Sequence, residues 1–318
     1  MAVYTLLDGT DIERILENYR VGTLRRFTGI ADGLANSNYR VETDEGAFIL
    51  RLLERQSRDQ ASFELRVLAF LAARDFPVPR PIPNREGTLL GRYRGKDIAL
   101  FSFIEGEMLR EIHPPHLRQV GGTLARMHLA LGTFPERRPN DYERPFLERE
   151  LAALFERLPA SYHPLLERLR GRLAQTADRA KIDGLPQGII HGDLFVDNAK
   201  FSGDRLCGIL DFEVAAWGRY LFDVATCLLD WCAPWPAPSP ARLLDPVKVA
   251  AFLTGYEAVR PLEAIERAQL LDEMRMSALR FTLCRLTFLA DTQDRSDAIL
   301  PPNKDFREYL EKLEFLDT

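Results

Sequence analysis

The sequence predicts an α+β fold in two lobes: a small antiparallel-sheet lobe with one main helix, and a larger, mostly helical lobe. Three observations predict it. The first hundred residues contain most of the strand-like segments, apolar residues recur at helical spacing from about residue 116 onward, and one strand-to-loop crossing near 102–106 joins the two regions. We therefore place the domain boundary after residue 104, with a first domain over 1–104 and a second over 105–318.

The first lobe is predicted to be a sheet that carries one main helix. Its expected strands cover 22–29, 38–43, 47–52, 87–93 and 97–104. The turn Asp44-Glu45-Gly46 predicts a hairpin between the second and third of them. A short helix is expected over 8–19 and the main helix over 59–74, where apolar residues recur at helical spacing. The proline-rich run 77–81 excludes a helix and predicts an extended connector.

The second lobe is predicted to be mostly helical. One helix is expected from His116, and long amphipathic segments cover 146–157, 163–182, 247–258 and 262–290. Only a strand–turn–strand hairpin over 199–210 is expected to interrupt the helices.

Composition is that of a globular protein without nucleic-acid or membrane partners. The 318 residues are 46% apolar and 28% charged, with a formal net charge of −5 and no run rich in Lys and Arg. No apolar segment approaches the roughly 20 residues that span a bilayer, and Met1–Thr5 lacks the start of a signal peptide. The four cysteines form no CxxC pair. We expect a cytoplasmic protein with reduced thiols and small-molecule partners.

The strongest functional signal is the pattern H-x-D-L-x-x-x-N at His191–Asn198, followed by Asp211. This spacing is typical of the catalytic and metal loops of kinase-like phosphotransferases. Asp193 would accept the proton of the acceptor hydroxyl, and Asn198 and Asp211 would bind Mg²⁺. The hairpin would return Asp211 to the side of Asn198. A surface loop ahead of an ordinary hairpin is the alternative interpretation, but the combination favours ATP- and Mg²⁺-dependent phosphotransfer.

Supporting roles are expected for residues around this loop. His191 is predicted to orient it, and Asp223 to hold it through hydrogen bonds, with a plain helix cap as the alternative. His113, His116 and His128 are interpreted as structural.

The nucleotide phosphates require a held cation and a covering loop. Arg51, at the end of a strand, is predicted to bind phosphates and to be oriented by Glu64 of the next helix. The covering loop is expected between two strands. Its candidate residues are Gly33, Asn36 and Ser37. The crossing at Ser102, Phe103 and Ile104 would offer backbone groups to the adenine.

Six stretches, in order along almost the whole chain, match one superfamily: 33–39 (GLANSNY), 49–51 (ILR), 77–79 (PVP), 191–198 (HGDLFVDN), 210–213 (LDFE) and 222–225 (FDVA). By these stretches the chain resembles the aminoglycoside phosphotransferase and choline kinase superfamily. The resemblance implies a two-lobed protein-kinase-like fold, ATP and magnesium.

Further stretches are similar to the homoserine kinases of that superfamily: 2–5 (AVYT), 19–22 (YRVG), 27–31 (FTGIA), 36–39 (NSNY), 229–232 (LDWC), 277–281 (SALRF) and 285–286 (RL). This narrower resemblance implies transfer of the ATP γ-phosphate to L-homoserine, as in threonine biosynthesis. The chain departs from those kinases at Ala35, Glu213 and Leu229. An aminoglycoside, choline or another amino alcohol stays open as acceptor, and a nucleotide-binding pseudokinase scaffold is the non-enzyme alternative.

A homoserine site would have to pair both charges of the substrate, because an unpaired buried charge is costly. Asp230 is the acidic candidate for the substrate ammonium. Arg280 and Arg285, on the predicted C-terminal helix, are the basic candidates for its carboxylate. Their alternative role is pairing with surface carboxylates.

Overall fold

The computed structural model describes residues 4–30, 36–54, 56–175, 184–233, 244–292 and 305–317. It divides into two compact units. The first comprises 1–108 together with 198–213, and the second comprises 109–197 together with 214–318.

The first unit is built on a six-stranded antiparallel sheet. Its strands are β1 (Leu24–Ile30), β2 (Ser37–Thr43), β3 (Gly46–Leu52), β4 (Pro81–Ile82), β5 (Gly91–Tyr93) and β6 (Lys96–Ser102). The order is β1-β2-β3-β6-β4, and β5 pairs with β6. Residues of alternating position, such as Tyr39, Val41, Leu50 and Leu52, lie in the core of this unit.

Two helices, each with a capping box, accompany this sheet. Helix α1 (Gly9–Leu16) begins at the N-cap Asp8, and α2 (Arg58–Ala72) begins at Ser57, whose side chain accepts the N–H of Gln60. Most of the inward face of α2 is apolar, but it also buries Glu64, which is 3% exposed. A buried carboxylate on a core-facing helix needs a partner, and the site described below provides it.

A short hairpin of β8 (Ala199–Ser202) and β9 (Arg205–Ile209) packs with the first unit rather than with the helices that flank it in sequence. The Glu107 and Phe201 backbones form a bridge, and the N–H of Ile209 donates to the Pro77 carbonyl at 2.7 Å. These contacts join residues far apart in the chain, so chain order does not reveal them. The sequence-based boundary after residue 104 therefore placed the hairpin in the second domain.

The second unit is mostly helical. Its helices are α3 (Pro114–Leu131), α4 (Arg144–Arg157), α5 (His163–Gln175), α6 (Tyr220–Trp231), α7 (Pro246–Glu257), α8 (Ala264–Thr292) and α9 (Phe306–Phe315). Strands β7 (Gln187–Ile190) and β10 (Ala216–Arg219) form a separate antiparallel pair, which the sequence did not predict.

Helices α3 and α7 approach each other closely through glycines. A methyl group at Gly121 would lie 2.3 Å from the Phe252 carbonyl oxygen, and one at Gly255 would lie 2.1 Å from that of Arg118. Only residues without a Cβ permit this backbone contact.

The predicted α+β organisation is confirmed, and differences lie mainly at element ends. The short first helix ends earlier than predicted. The strand expected over 87–93 is limited to Gly91–Tyr93, because a turn about Gly87, whose φ is +81°, occupies its beginning. The helix predicted over 163–182 runs to Gln175, and its remainder lies outside the described residues. None of the described helices is long and apolar enough to cross a bilayer.

Candidate active site

The loop after β7 carries Asp193, and the buried carboxylate of Asp223 on α6 holds its backbone. The N–H groups of His191 and Gly192 each donate to Asp223 at 2.7 Å. Gly192 has φ +78°, a conformation that favours glycine. The predicted role of Asp223 in holding the loop is confirmed.

A chain of buried polar side chains supports Asp223. His128 Nε2 lies 3.0 Å from Asp223 Oδ2, and His128 Nδ1 lies 2.8 Å from the Tyr256 hydroxyl. Burial alone would raise the pKa of Asp223, but the hydrogen bond from His128 and the backbone hydrogen bond from Gly192 help to hold that pKa below its ordinary value. Burial lowers the pKa of His128. We therefore assign a neutral His128 that donates from Nε2 to an ionised Asp223.

Further contacts fix the rest of the loop. The N–H of Asp193 donates to His191 Nδ1 at 3.2 Å, which agrees with the orienting role predicted for His191. The N–H of Val196 donates to Asp230 Oδ2 at 2.8 Å, and the Trp231 indole N–H donates to the Leu194 carbonyl at 3.0 Å. Two neighbouring residues of α6 thus bind the backbone of the loop that carries Asp193.

This contact gives Asp230 a role that its sequence did not suggest. Burial raises the pKa of Asp230 to about 6, while the charge of Lys312 and the Val196 hydrogen bond lower it. Asp230 therefore anchors the loop backbone through Oδ2, and its role at the substrate ammonium stays a prediction.

The two candidate arginines of α8 differ in environment. Arg285 donates to Glu308 at 2.7 Å and to the Asp305 carbonyl at 2.8 Å, so its charge is neutralised inside the protein. Arg280 is 3% exposed, and among the described residues no carboxylate oxygen lies within 4 Å of its guanidinium. Arg280 is therefore the better candidate for binding an anionic group.

In the first unit, Arg51 lies within β3 and contacts Glu64. Its Nη1 donates to Glu64 Oε1 at 2.8 Å, and its Nε donates to Asn38 Oδ1 at 3.3 Å. Gln56 also donates to Glu64, at 3.0 Å. Burial lowers the pKa of Arg51, but the carboxylates of Glu64, Glu213 and Asp211 raise it above its ordinary value. Glu64 fixes the orientation of the guanidinium, whose forked donors suit phosphate oxygens.

Glu213 is a member of this cluster that sequence reasoning treated only as a departure from a family pattern. It accepts a hydrogen bond from Asn36 Nδ2 and lies 3.5 Å from Arg51 Nη1. Burial and the charge of Asp211 raise its pKa to about 7, whereas Arg51 lowers it. The only available signal was its position two residues after Asp211, because its partners lie more than 160 residues away.

The predicted phosphate-loop residues are largely occupied with structural contacts. Ser37 Oγ accepts the N–H groups of Tyr4 and Thr5 and donates to Glu54 Oε1 at 2.6 Å. Asn36 Oδ1 accepts the N–H of Glu54 at 3.1 Å. Both side chains therefore fix the start of β2. Gly33 and the departure at Ala35 lie outside the described residues.

In the segment that follows β6, two of the three residues predicted to contact adenine already use their backbone N–H groups in hydrogen bonds. The N–H of Ser102 donates to the Arg80 carbonyl at 2.9 Å, and that of Phe103 donates to the Ala47 carbonyl at 3.1 Å. These two N–H groups are used within the sheet. Of the three residues predicted for adenine, Ile104 is the one whose N–H is not bound in this way.

The hairpin positions Asn198 and Asp211 at its two ends. The N–H of Leu210 donates to the Asn198 carbonyl at 2.8 Å, and Asp211 follows in the left-handed region with φ +62°. Left-handed backbone is uncommon for residues other than glycine, and Asp and Asn tolerate it best. The expected return of Asp211 toward Asn198 agrees with this closed hairpin.

This donor set fits Mg²⁺. An amide oxygen and a carboxylate are hard ligands, and the charge of Asp211 already raises the pKa of the neighbouring Glu213, so a cation would relieve repulsion there. No cluster of three or more His, Cys, Asp or Glu suited to a metal occurs in the part of the chain that is described. Mg²⁺ typically takes few protein ligands and keeps waters and phosphate oxygens.

A family model matches this sequence over most of its length. The model is that of the phosphotransferase enzyme family, and it matches residues 26–262.

Curated relatives extend the match to the full chain. The homoserine kinase of Xanthobacter autotrophicus is 38% identical over 320 residues, covering 99% of this chain and 96% of the relative. The homoserine kinase of Rhizobium etli is 39% identical with the same coverage.

Solved structures share the fold at low identity. An amicoumacin kinase in complex with AMP-PNP, Ca²⁺ and Ami has a TM-score of 0.74 at 16% identity, covering 98% of this chain and 94% of that one. A spectinomycin phosphotransferase in complex with ADP and spectinomycin has a TM-score of 0.70 at 12% identity, covering 98% of each. The protein-kinase-like fold implied by the sequence is therefore confirmed.

Proposed function

Since the chain belongs to the phosphotransferase enzyme family, we propose that it transfers the γ-phosphoryl group of ATP to the hydroxyl of L-homoserine, with Mg²⁺ as cofactor. The choice of L-homoserine as acceptor rests on the full-length similarity to homoserine kinases, at 38–39% identity over 99% of the chain. The solved relatives are too distant in sequence to support an acceptor, and they support the fold alone.

Asp193 is the proposed catalytic residue. Its backbone is held by His191, and the loop around it is anchored by Asp223 and Asp230. The Asp193 carboxylate is proposed to orient the substrate hydroxyl and to accept its proton. Position matters more than basicity for such a group, and the buried anchors supply position.

Asn198 and Asp211 are the proposed Mg²⁺ ligands. When bound, Mg²⁺ supplies charge neutralisation for the phosphoryl oxygens. The left-handed Asp211 and the hydrogen bond between Leu210 and Asn198 hold the two ligands at the ends of one hairpin.

Arg51 is proposed to bind nucleotide phosphate, oriented by Glu64. The buried Glu64 carboxylate, fixed by Gln56 as well, prevents the guanidinium from rotating away. Glu213 shares Arg51 and is proposed to compete with phosphate for it until the nucleotide binds.

An ATP-consumption assay with a panel of alcohols tests the proposal. L-homoserine should support turnover well above choline, ethanolamine and kanamycin. Homoserine lactone, which lacks a free hydroxyl, should be inert. Equal or better use of ethanolamine or choline would replace the amino-acid acceptor by a general amino alcohol. Absence of turnover with every alcohol, despite ATP binding, would support the pseudokinase alternative, against which the presence of Asp193, Asn198 and Asp211 argues.

A further inference from the structure

We infer that the buried guanidinium of Arg280 binds the carboxylate of the acceptor and thereby selects an amino-acid alcohol over amino alcohols that lack a carboxylate. The inference rests on the proposed function, and it assigns acceptor specificity to one side chain of α8.

The charge of Arg280 is buried and has no ion pair within the described part of the chain. Arg280 is 3% exposed, its Nε has no hydrogen-bond partner, and within the described ranges no carboxylate oxygen lies within 4 Å of it. Buried charges in proteins are nearly always paired, because an isolated one is strongly penalised. The buried guanidinium therefore lacks an anionic partner within the described residues.

The side chains that contact the guanidinium of Arg280 are neutral. Its guanidinium carbon lies 4.5 Å from the Tyr142 ring centroid, 5.1 Å from that of Phe222 and 5.0 Å from that of Phe281. Burial raises the pKa of Tyr142 and of the Cys284 thiol, so both are protonated at neutral pH. The three aromatic rings contact the guanidinium but supply no anionic partner for it.

Arg280 also lies beside the loop that carries Asp193. A Cβ placed on Gly192 would lie 3.9 Å from Arg280 Nη1, so the guanidinium adjoins the residue that precedes Asp193. Arg280 and Asp193 both act electrostatically on Tyr142 and on Cys284. In L-homoserine, three carbons separate the hydroxyl from the carboxylate. An acceptor of that size would present its hydroxyl to Asp193 and its carboxylate to Arg280.

Arg285, five residues further along α8, provides an internal comparison. It also lies over an aromatic ring, that of Tyr309 at 4.5 Å, but it is paired with Glu308. The same helix thus carries one buried arginine with an internal anion and one without. This difference favours ligand binding at Arg280.

The test compares L-homoserine with 3-amino-1-propanol, which is the same molecule without the carboxylate. The Arg280→Met variant should lose roughly 10²-fold in kcat/KM for L-homoserine, the scale expected when one partner of a buried charge pair is removed. Its kcat/KM for 3-amino-1-propanol should change little. The Arg280→Lys variant should be intermediate, because lysine keeps the charge but not the forked donors.

Arg275→Met is the matched control. Arg275 lies on the same helix and is paired with Asp272 and Asp317, so its removal should leave the ratio of the two kcat/KM values at the wild-type level. Melting temperature and ATP affinity identify variants that fail to fold.

The outcomes separate the two proposals. Suppose that the wild type uses L-homoserine but Arg280→Met and Arg280→Lys lower kcat/KM equally for both substrates. Arg280 then has only a structural role and this inference is wrong. If the wild type does not phosphorylate L-homoserine, the proposed function itself is wrong and this inference with it.

Discussion

At the scale of single residues, the catalytic loop is held by its backbone. Asp223 accepts two loop N–H groups and is itself bound by His128, and Asp230 accepts a third N–H from Val196. Charge-assisted hydrogen bonds to buried carboxylates are stronger than those between neutral groups. The loop therefore keeps its conformation independently of the Asp193 side chain. A substitution of Asp193 should change its chemistry without changing the loop.

We expect Asp193→Asn to reduce turnover by roughly 10²- to 10⁴-fold, the usual contribution of a positioned acid–base group. Affinity for ATP should remain close to that of the wild type, because the proposed phosphate and metal residues are elsewhere. Steady-state kcat and calorimetric titration with MgATP measure the two effects. Turnover within a few-fold of the wild type would remove Asp193 from the catalytic role.

The second prediction concerns the pH dependence of stability at Asp230. Its pKa in the folded state is about 6, above the ordinary value of 3.8, because burial outweighs the favourable charge of Lys312. A carboxyl group whose pKa is raised by folding contributes stability that is fully present below pH 3.8. That stability is lost as the pH rises through 6.

Asp230→Asn should therefore become more stable relative to the wild type as the pH rises from 5 to 8, by about 1–2 kcal/mol. Urea unfolding at the two pH values measures the change. The comparison between pH values cancels the constant cost of altering the Val196 hydrogen bond. A difference that is independent of pH, or of opposite sign, would contradict the burial argument.

At the scale of elements, the β8–β9 hairpin carries the two proposed metal ligands at its ends. Asp211 has φ +62°, so alanine at this position would combine loss of charge with backbone strain. Asn tolerates the left-handed region and keeps one oxygen ligand. Asp211→Asn should therefore preserve the melting temperature but abolish most of the increase in ATP affinity that Mg²⁺ provides. Calorimetry with and without Mg²⁺ tests this, and an unchanged Mg²⁺ effect would exclude Asp211 as a ligand.

The close pairing of α3 and α7 leads to a stability prediction. A methyl group at Gly255 would lie 2.1 Å from the Arg118 carbonyl oxygen, so Gly255→Ala should cost about 1–3 kcal/mol, typical of overpacking.

Gly171 of α5, which faces open space, is the matched control. Gly171→Ala should instead stabilise the protein by roughly 0.5–1 kcal/mol through helix propensity. Denaturant unfolding measures both variants. A neutral Gly255→Ala would mean that the two helices separate without cost.

The sequence predicted those elements whose signals are local. The hairpin about Asp44-Glu45-Gly46, the main helix and the long C-terminal helix follow from turn residues and apolar spacing, and the structure contains them. The pair of β7 and β10 was missed, because two four-residue strands 25 residues apart have no local pairing signal. The assignment of β8–β9 to the first unit depends on contacts with Pro77 and Glu107, which chain order cannot reveal.

The site divides in the same way. Asp193, Asn198 and Asp211 lie in one short motif region, and their roles were predicted from its spacing. The environments of Glu213, Asp230 and Arg280 depend on residues far away in sequence, such as Asn36, Lys312 and Tyr142. Whether such a charged side chain holds the protein backbone or binds a ligand depends on its burial and its partners, not on its residue type.

At the scale of the whole molecule, the chemistry is distributed over two compact units. Arg51, Glu64, Asn198 and Asp211 belong to the first, and Asp193 with its anchors and Arg280 belongs to the second. Each unit carries a set of residues that the proposed reaction requires: one set for nucleotide and metal, the other for acceptor and proton transfer. The family match over residues 26–262 includes parts of both.

The most direct test of the account is product identity. The wild type, incubated with MgATP and L-homoserine, should form O-phospho-L-homoserine and ADP in equal amounts, as measured by mass spectrometry and ³¹P NMR, and Asp193→Asn should form almost none. Release of inorganic phosphate without a phosphoester, or phosphorylation of an amino alcohol in preference to L-homoserine, would contradict the account.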